Sequence, residues 1–208
     1  MSEIDSQRSG PATPLDELAL RLLTSSGFRF AVAEADADRD TCFRLRYQAV
    51  IDRSWAPQQR LGDGIERDEY DDHAVQVIGW DGDRAVATGR LVLPPGPLPT
   101  QDACGIVVEP AGHVVDVGRM AVAPTHQGPG HGSFVALLCA LYLEARARGF
   151  EVACGMMSTT TRGLLRHLGV QLQVLGEPRG YWNEERCPVR FRLADNELPL
   201  SERWSGSS

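Results

Sequence analysis

The stretch Val114–Gly132, VVDVGRMAVAPTHQGPGHG, with the run FVALLCALYLEARARG that ends at Gly149, decides how this chain is read. Apolar and β-branched residues make a strand, the strand enters a glycine-rich turn, and a helix with apolar and charged faces follows. In the turn, Gln127, Gly130 and Gly132 have the spacing Q-x-x-G-x-G, with Gly128, Pro129 and His131 between them. The first N–H groups of a helix have no partner within it, so a turn that opens a helix is a ready anion cradle. Glycine lets the main chain approach a phosphate without a Cβ in the way. Pro129 has no N–H to give, which leaves the anion to the remaining amides.

Outward from this unit the chain alternates between short elements. Leu15–Leu23 suits a short helix, Phe28–Ala35 a half-buried strand, and Asp36–Arg53 a helix whose first turn is acidic. Two apolar runs, AVQVIGW and RAVATGRLVLP, are separated by Asp81-Gly82-Asp83, a hairpin signal. Residues 94–112 read as a long proline-rich loop. After the central helix come a strand FEVACGMM, a helix capped by Ser158 and stopped at Gly169, and strands VQLQVL and CPVRFRL. The expectation is a single α/β (α+β) domain with a mixed, largely antiparallel sheet flanked by helices.

Composition narrows the chemistry. Two hundred and eight residues bury a real core in one domain, and a net charge of −7 argues against duplex nucleic acid as a partner. No apolar run reaches the roughly 20 residues of a membrane-spanning helix. The N-terminus lacks a basic start and an apolar middle, so cytoplasm is the expected location. All 21 cationic side chains are arginine, which excludes a lysine base or Schiff base. The five cysteines are odd in number and form no CxxC pair, so they read as buried thiols. A metal site from Asp68, Asp71 and Asp72 lacks the ligand positions of a calcium loop, and none is expected.

The strand, turn and helix at 114–149 resemble the acyl-donor pyrophosphate site of the GNAT (N-acyltransferase) superfamily. A second set of residues sharpens that resemblance. Arg44, Arg46 and Trp55 precede Glu66-Arg67-Asp68-Glu69-Tyr70-Asp71-Asp72; Gly89-Arg90-Leu91 follows on a strand, and Asp116-x-x-Arg119 on the next. This succession, from about Arg44 to Leu193, is similar to the acyl-homoserine-lactone (autoinducer) synthases and the long-chain N-acyl amino acid synthases. The resemblance implies the GNAT fold over residues 27–196, between a flexible segment 1–26 and a flexible tail 197–208.

It also implies an enzyme that takes an acyl group from acyl-CoA or from the phosphopantetheine of acyl carrier protein and passes it to a small amine. No tightly bound cofactor is implied. Glu66, Asp68, Asp71, Arg90, Asp116 and Arg119, with Trp55 and either Arg44 or Arg46, would line or brace the acceptor site. Met120, Ala121, Val122, Gln127, Gly128, Gly130, His131 and Gly132 would hold the donor, with the Val122 amide facing the oxyanion. Acidic groups would draw an amino group and an arginine would grip a carboxylate, which together describe an amino-acid-like acceptor. The proline-rich stretch after Arg90 departs from the autoinducer synthases and weakens the case for lactone formation.

The chemistry needs a proton acceptor, oxyanion donors and a leaving thiol. Asp116, set among valines that disfavour its charge, is the candidate base through a water, with an ion pair to Arg119 or Arg90 as the structural alternative. Many GNAT enzymes place a tyrosine acid where this chain has Leu165; a thiol of pKa about 8.5 is already a fair leaving group. Arg146, Arg148, Arg162 and Arg166 offer a docking strip for an acidic carrier protein, or simply a solvated helix face. An acetyl-CoA-dependent N-acetyltransferase and a GNAT-fold binding protein without turnover are the rival functions.

Overall fold

Helix α1 spans Pro14–Ser25 because Thr13 and Asp16 cap each other's backbone and Pro14 occupies the first turn, where its missing N–H costs nothing. In the computed structural model, which describes residues 12–55, 63–128 and 131–193, the next elements are β1 (Arg29–Val32), α2 (Asp36–Asp52) and a 3₁₀ turn at Glu69–His73. They are followed by β2 (Ala74–Asp81), β3 (Arg84–Val92), α3 (Pro99–Cys104), β4 (Val114–Val122) and α4 (Gly132–Ala147). The chain then forms β5 (Val152–Ser158), α5 (Thr159–His167), β6 (Gln173–Val174), β7 (Arg179–Tyr181) and β8 (Glu184–Arg192).

The strands make one sheet in the order β1-β2-β3-β4-β5-β8-β6, with β7 also paired to β8. Every pairing is antiparallel except β4 with β5. That is the mixed, largely antiparallel sheet expected. The hairpin at Gly82-Asp83 is present, with Gly82 at φ +56°, and Gly169 at φ +84° stops α5.

The short helix expected at Leu15–Leu23 is α1, whose Leu18 and Ala19 are buried. Two local readings change. The proline-rich loop contains α3, started by Pro99 and ended by Gly105 in the left-handed region. Only Gln173–Val174 of VQLQVL is strand, while β7 supplies a strand the sequence pattern did not show. Residues 1–11, 197–208, Pro129 and Gly130 lie outside the described residues.

Alternation along the strands sorts the two faces of the sheet. Val77, Ala87, Leu91, Val115 and Val117 pack against Ala136, Leu137, Ala140 and Leu141 of α4. Gly89 belongs to this face, and a Cβ there would come within 2.7 Å of the Leu141 side chain, so glycine sets how closely α4 approaches. The intervening residues, Gln76, Thr88, Arg90 and Asp116, point to the other face, under α2 and α3, and all are buried.

Candidate active site

Strands β4 and β5 pair only at Val114–Asp116 with Val152–Cys154. Beyond that point they part. Gly155 lies against the Val117 carbonyl, where a Cβ would be 2.6 Å from the oxygen, so the parting begins at a close backbone contact. The opening leads into a cavity of about 440 Å³, walled by residues 117–122 of β4, by Met156, Met157 and Ser158 of β5, and by Arg46, Glu66 and Trp182. A volume of that size suits a small-molecule site.

The cavity wall on the α2 side is a closed network of charges. Arg46, on α2, is almost completely buried and makes a bidentate pair with Asp71, Nη1 to Oδ1 at 2.7 Å and Nη2 to Oδ2 at 2.9 Å; its Nε donates to Glu66 Oε2. Arg90, on β3, donates to both oxygens of Asp68 and to Asp71 Oδ1 at 2.9 Å. Arg119 donates through Nε to Glu66 Oε1 at 3.1 Å and through Nη2 to Asp68 Oδ2 at 2.7 Å. Gln76 adds a hydrogen bond to Asp71 at 2.8 Å.

Three cations meet three carboxylates, as a buried cluster requires. Burial works to raise the Asp71 pKa, but hydrogen bonds and charge from Arg46, then the charge of Arg90, hold its carboxyl far below the usual range. Arg46, rather than the exposed Arg44, is the inward-facing arginine of α2.

Arg119 owes its position to a bulge. Arg90 pairs with Gly118 and Thr88 with Ala121, so two residues of β4 face one of β3, and Arg119 sits there at φ +51°. Its guanidinium lies 4.3 Å from the centre of the Trp182 ring, and its Nη1 donates to the Tyr181 hydroxyl at 3.4 Å. Trp182 and Asn183, at φ +56° and +49°, form the turn between β7 and β8, and Asn183 donates to the Ser54 carbonyl at 3.3 Å. The hairpin thus spans the cavity to the end of α2, where the Trp55 ring lies between Arg53 at 5.1 Å and Arg186 at 4.8 Å.

At the opposite end, α4 starts at Gly132 after His131 in the left-handed conformation, with no side-chain cap. The Val135 N–H bonds to the His131 carbonyl at 2.9 Å, and the amides that open this 16-residue helix stand at the positive end of its dipole. Gln127, Gly128, His131 and Phe134 line the cavity there. Ala123 N–H bonds toward β3, to Val86, so alternation directs the Val122 N–H and carbonyl to the parted edge. That carbonyl accepts Gln127 Nε2 at 2.6 Å.

No family model matches the chain. Its structure is similar to that of the AHL synthase LasI, with a TM-score of 0.66 and 15% identity over 80% of this chain and 89% of that one. The CoA-dependent acyl-homoserine lactone synthase BjaI, solved with SAM and isopentyl-CoA, gives 0.63 and 20% over 74% and 75%. FeeM, an N-acyl amino acid synthase from uncultured soil microbes, gives 0.62 and 11% over 81% and 91%. The chain has the GNAT fold.

Of the residues expected at the site, Gly130 lies outside the described residues and Gly132 opens α4 without lining the cavity; the others fall into three groups. Arg46, Trp55, Glu66, Arg119, Met120, Ala121, Val122, Gln127, Gly128 and His131 line the cavity. Asp68, Asp71 and Arg90 stand behind the wall and hold it. Asp116 does neither. It is buried in the last paired row of β4, where its Oδ2 accepts the Thr100 N–H of α3 at 2.7 Å and the Cys154 thiol at 3.5 Å. Burial raises its pKa, and Arg90 and Arg119 pair with other carboxylates instead. The ion pair expected between Asp116 and Arg119 or Arg90 is not formed; its expected role as base through a water is a matter for the turnover of Asp116→Asn.

Arg53, Trp182, Glu184 and Arg186 line the cavity without having been singled out in the sequence. The docking strip also changes: Arg146 pairs with Asp16 and Arg148 with Glu144. Among the described residues, no cluster of three His, Cys, Asp or Glu side chains could hold a metal ion, and no helix is long and apolar enough to cross a membrane.

Proposed function

We propose that this chain is an N-acyltransferase that moves an acyl group from an acyl-CoA or acyl-carrier-protein thioester to the amine of a small, amino-acid-like acceptor. The observation that carries this reading is the parting of β4 and β5. It opens one cavity that has a helix N-terminus at one end and an arginine–carboxylate wall at the other.

The donor's phosphates would rest on the first amides of α4 and the turn before it, Gly130 included, with Arg53 close by through its contact to Gln127 at 3.5 Å. Its thioester would then lie along β4, the carbonyl oxygen facing the Val122 N–H. That amide is a fixed dipole aimed where negative charge develops. The amine attacks the carbonyl carbon, a tetrahedral oxyanion forms, the C–S bond breaks, and the thiolate takes up a proton from solvent. Leu165 is buried in the core, so no tyrosine acid stands there, and the low pKa of a thiol makes one dispensable.

Each oxygen of Glu66 already accepts one guanidinium N–H and keeps a further lone pair for an acceptor ammonium. Glu184, half-exposed in the same cavity, accepts Arg186 on Oε2 at 2.8 Å and keeps Oε1 to take the amine's proton through water. Arg119 on its Trp182 platform and Arg186 beside Trp55 would grip the acceptor's carboxylate.

The test is a panel of thioesters (acetyl-CoA, hexanoyl-CoA, dodecanoyl-CoA and hexanoyl carrier protein) against amino acids and SAM, read by thiol release and product mass. Amine-dependent release with an N-acyl product is expected. No release with any pair, and no thermal stabilisation by CoA, would overturn the reading. Stabilisation by CoA without release would favour the non-catalytic binding protein that Leu165 leaves open.

A further inference from the structure

We infer that the C-terminal tail, residues 194–208, folds back on its own domain and lays Leu198 and Leu200 in an open apolar groove between α1, α4 and α5.

The groove has a volume of about 110 Å³. It is walled by Leu18 and Leu22 of α1, Cys139 and Tyr142 of α4, and Leu165 and Leu168 at the end of α5. Leu15, Leu22, Leu138 and Val170 on its walls are only half-buried. Its one hydroxyl is already engaged, because Tyr142 is shared between Asp16 Oδ1 at 2.8 Å and the Leu193 carbonyl at 3.1 Å. The surface that is left is hydrocarbon with no polar group to offer a ligand, and a contiguous patch of that kind marks a docking site for apolar side chains.

The course of the chain names the occupant. Leu193, the last described residue, is 2% exposed and is itself part of the groove wall. Tyr142 holds its carbonyl, so the tail sets out from the edge of the groove. The residues that follow read ADNELPLSERWSGSS, in which Leu198 and Leu200 are the only leucines in a polar run. Pro199 between them favours extended backbone for itself and for Leu198, and residues two apart in an extended chain face the same way. Two such leucines stand about 6–7 Å apart, close to the roughly 6 Å that separate Leu18 from Leu22 along α1.

Reach and concentration agree with this. From Leu193 to Leu198 an extended chain covers up to about 17 Å, whereas Leu15 to Leu22 takes up about 10 Å of α1. A tether this short holds the leucines at the groove at an effective concentration in the millimolar range, above that of a second copy in dilute solution. The docked tail would add an apolar clamp to a helix whose polar fastening is the buried Asp16 carboxylate, on Tyr142 and Arg146.

The test places a thiol in the tail of the full chain. Leu198→Cys and Leu200→Cys are made singly, so that one leucine remains as anchor, and each protein is incubated with oxidised glutathione. Tryptic peptides are then read by mass spectrometry. Cys139 lies in the groove wall, so a disulfide from the new thiol to Cys139 within one chain is expected, and Cys139→Ser should abolish it. No linkage to Cys139, or linkage to the half-buried Cys104 in its place, would overturn the inference. Linkage formed only between chains and rising with protein concentration would overturn it too, and would give the groove to a second copy. In the same full chain, Leu198→Ser with Leu200→Ser should lower the thermal midpoint by about 3–6 °C and speed hydrogen exchange at the α1 amides about tenfold. Glu202→Ser should do neither. A midpoint and an α1 exchange rate both unchanged by the double substitution would contradict docking.

Discussion

The two faces of the central sheet are built on opposite terms. Under α2, Arg46, Arg90 and Arg119 are matched one for one by Glu66, Asp68 and Asp71, with directional contacts that leave little room for exchange. Under α4, Val77, Leu91, Val115 and Val117 meet Ala136, Leu137, Ala140 and Leu141, apolar side chains constrained by volume rather than direction. The first face fixes where charged atoms stand; the second fixes how closely α4 lies on the sheet.

If the contrast is sound, the largest effect belongs to the charged face. Arg46→Leu leaves Glu66 and Asp71 buried without their main cation, and breaking a buried pair this way costs about 3–5 kcal/mol. A drop in thermal midpoint of about 10 °C should appear by calorimetry, and a drop under 2 °C would mean that the network is not under tension.

The network also sets an acid limit. The folded pKa of Asp71 is depressed, so its contribution is complete above the ordinary carboxylate value near 4 and is lost as pH falls below it. Denaturant titrations should therefore show stability steady from neutrality down to about pH 4 and falling beneath it.

Gly155→Ala acts at the seam between the faces. Its Cβ would meet the Val117 carbonyl at 2.6 Å, and backbone cannot swing aside as a side chain can. A loss of about 1–3 kcal/mol is expected, together with weaker donor binding. Unchanged stability and unchanged donor affinity would show that the parting does not depend on that contact.

Trp182→Ala removes the ring under Arg119, a contact of about 0.5–1 kcal/mol at a partly exposed site. It should raise KM for the acceptor several-fold while leaving donor affinity alone. Equal change in both constants would take Trp182 out of the acceptor wall.

The smallest effect is expected at Asp116. Asparagine can still accept the Thr100 N–H, so Asp116→Asn should stay within about 1 kcal/mol of wild type and keep most of its turnover. The raised pKa reverses the sign seen for Asp71: above pH 4 this carboxyl loses its proton more readily in the unfolded chain, so the variant should gain slightly on wild type as pH rises. A hundredfold loss of turnover with an unaltered thermal midpoint would restore Asp116 as the base.

Local patterns made much of the fold legible. The run Val114–Gly149 contains strand, turn and helix in order, and Asp81-Gly82 marks its hairpin. The charged network was legible as a set of residues, because arginines and carboxylates on separate elements need one another once buried. Its pairings were not, since they depend on a bulge at Arg119 that no spacing announces. The partner of Asp116 was hidden for the same reason: its valine neighbours signal burial correctly, but not that α3 comes down to give it the Thr100 amide in place of an arginine. Trp182 and Arg186 escaped because a three-residue strand such as β7 has no period to detect, although the aromatic pair Tyr181-Trp182 before Asn183 was a usable hint.

The most direct measurement is a crystal structure of this chain soaked with a CoA thioester. The account predicts the diphosphate against the amides that open α4 and the thioester carbonyl facing the Val122 N–H in the gap between β4 and β5. Density for CoA anywhere else, or a thioester carbonyl turned away from the Val122 N–H, would contradict it.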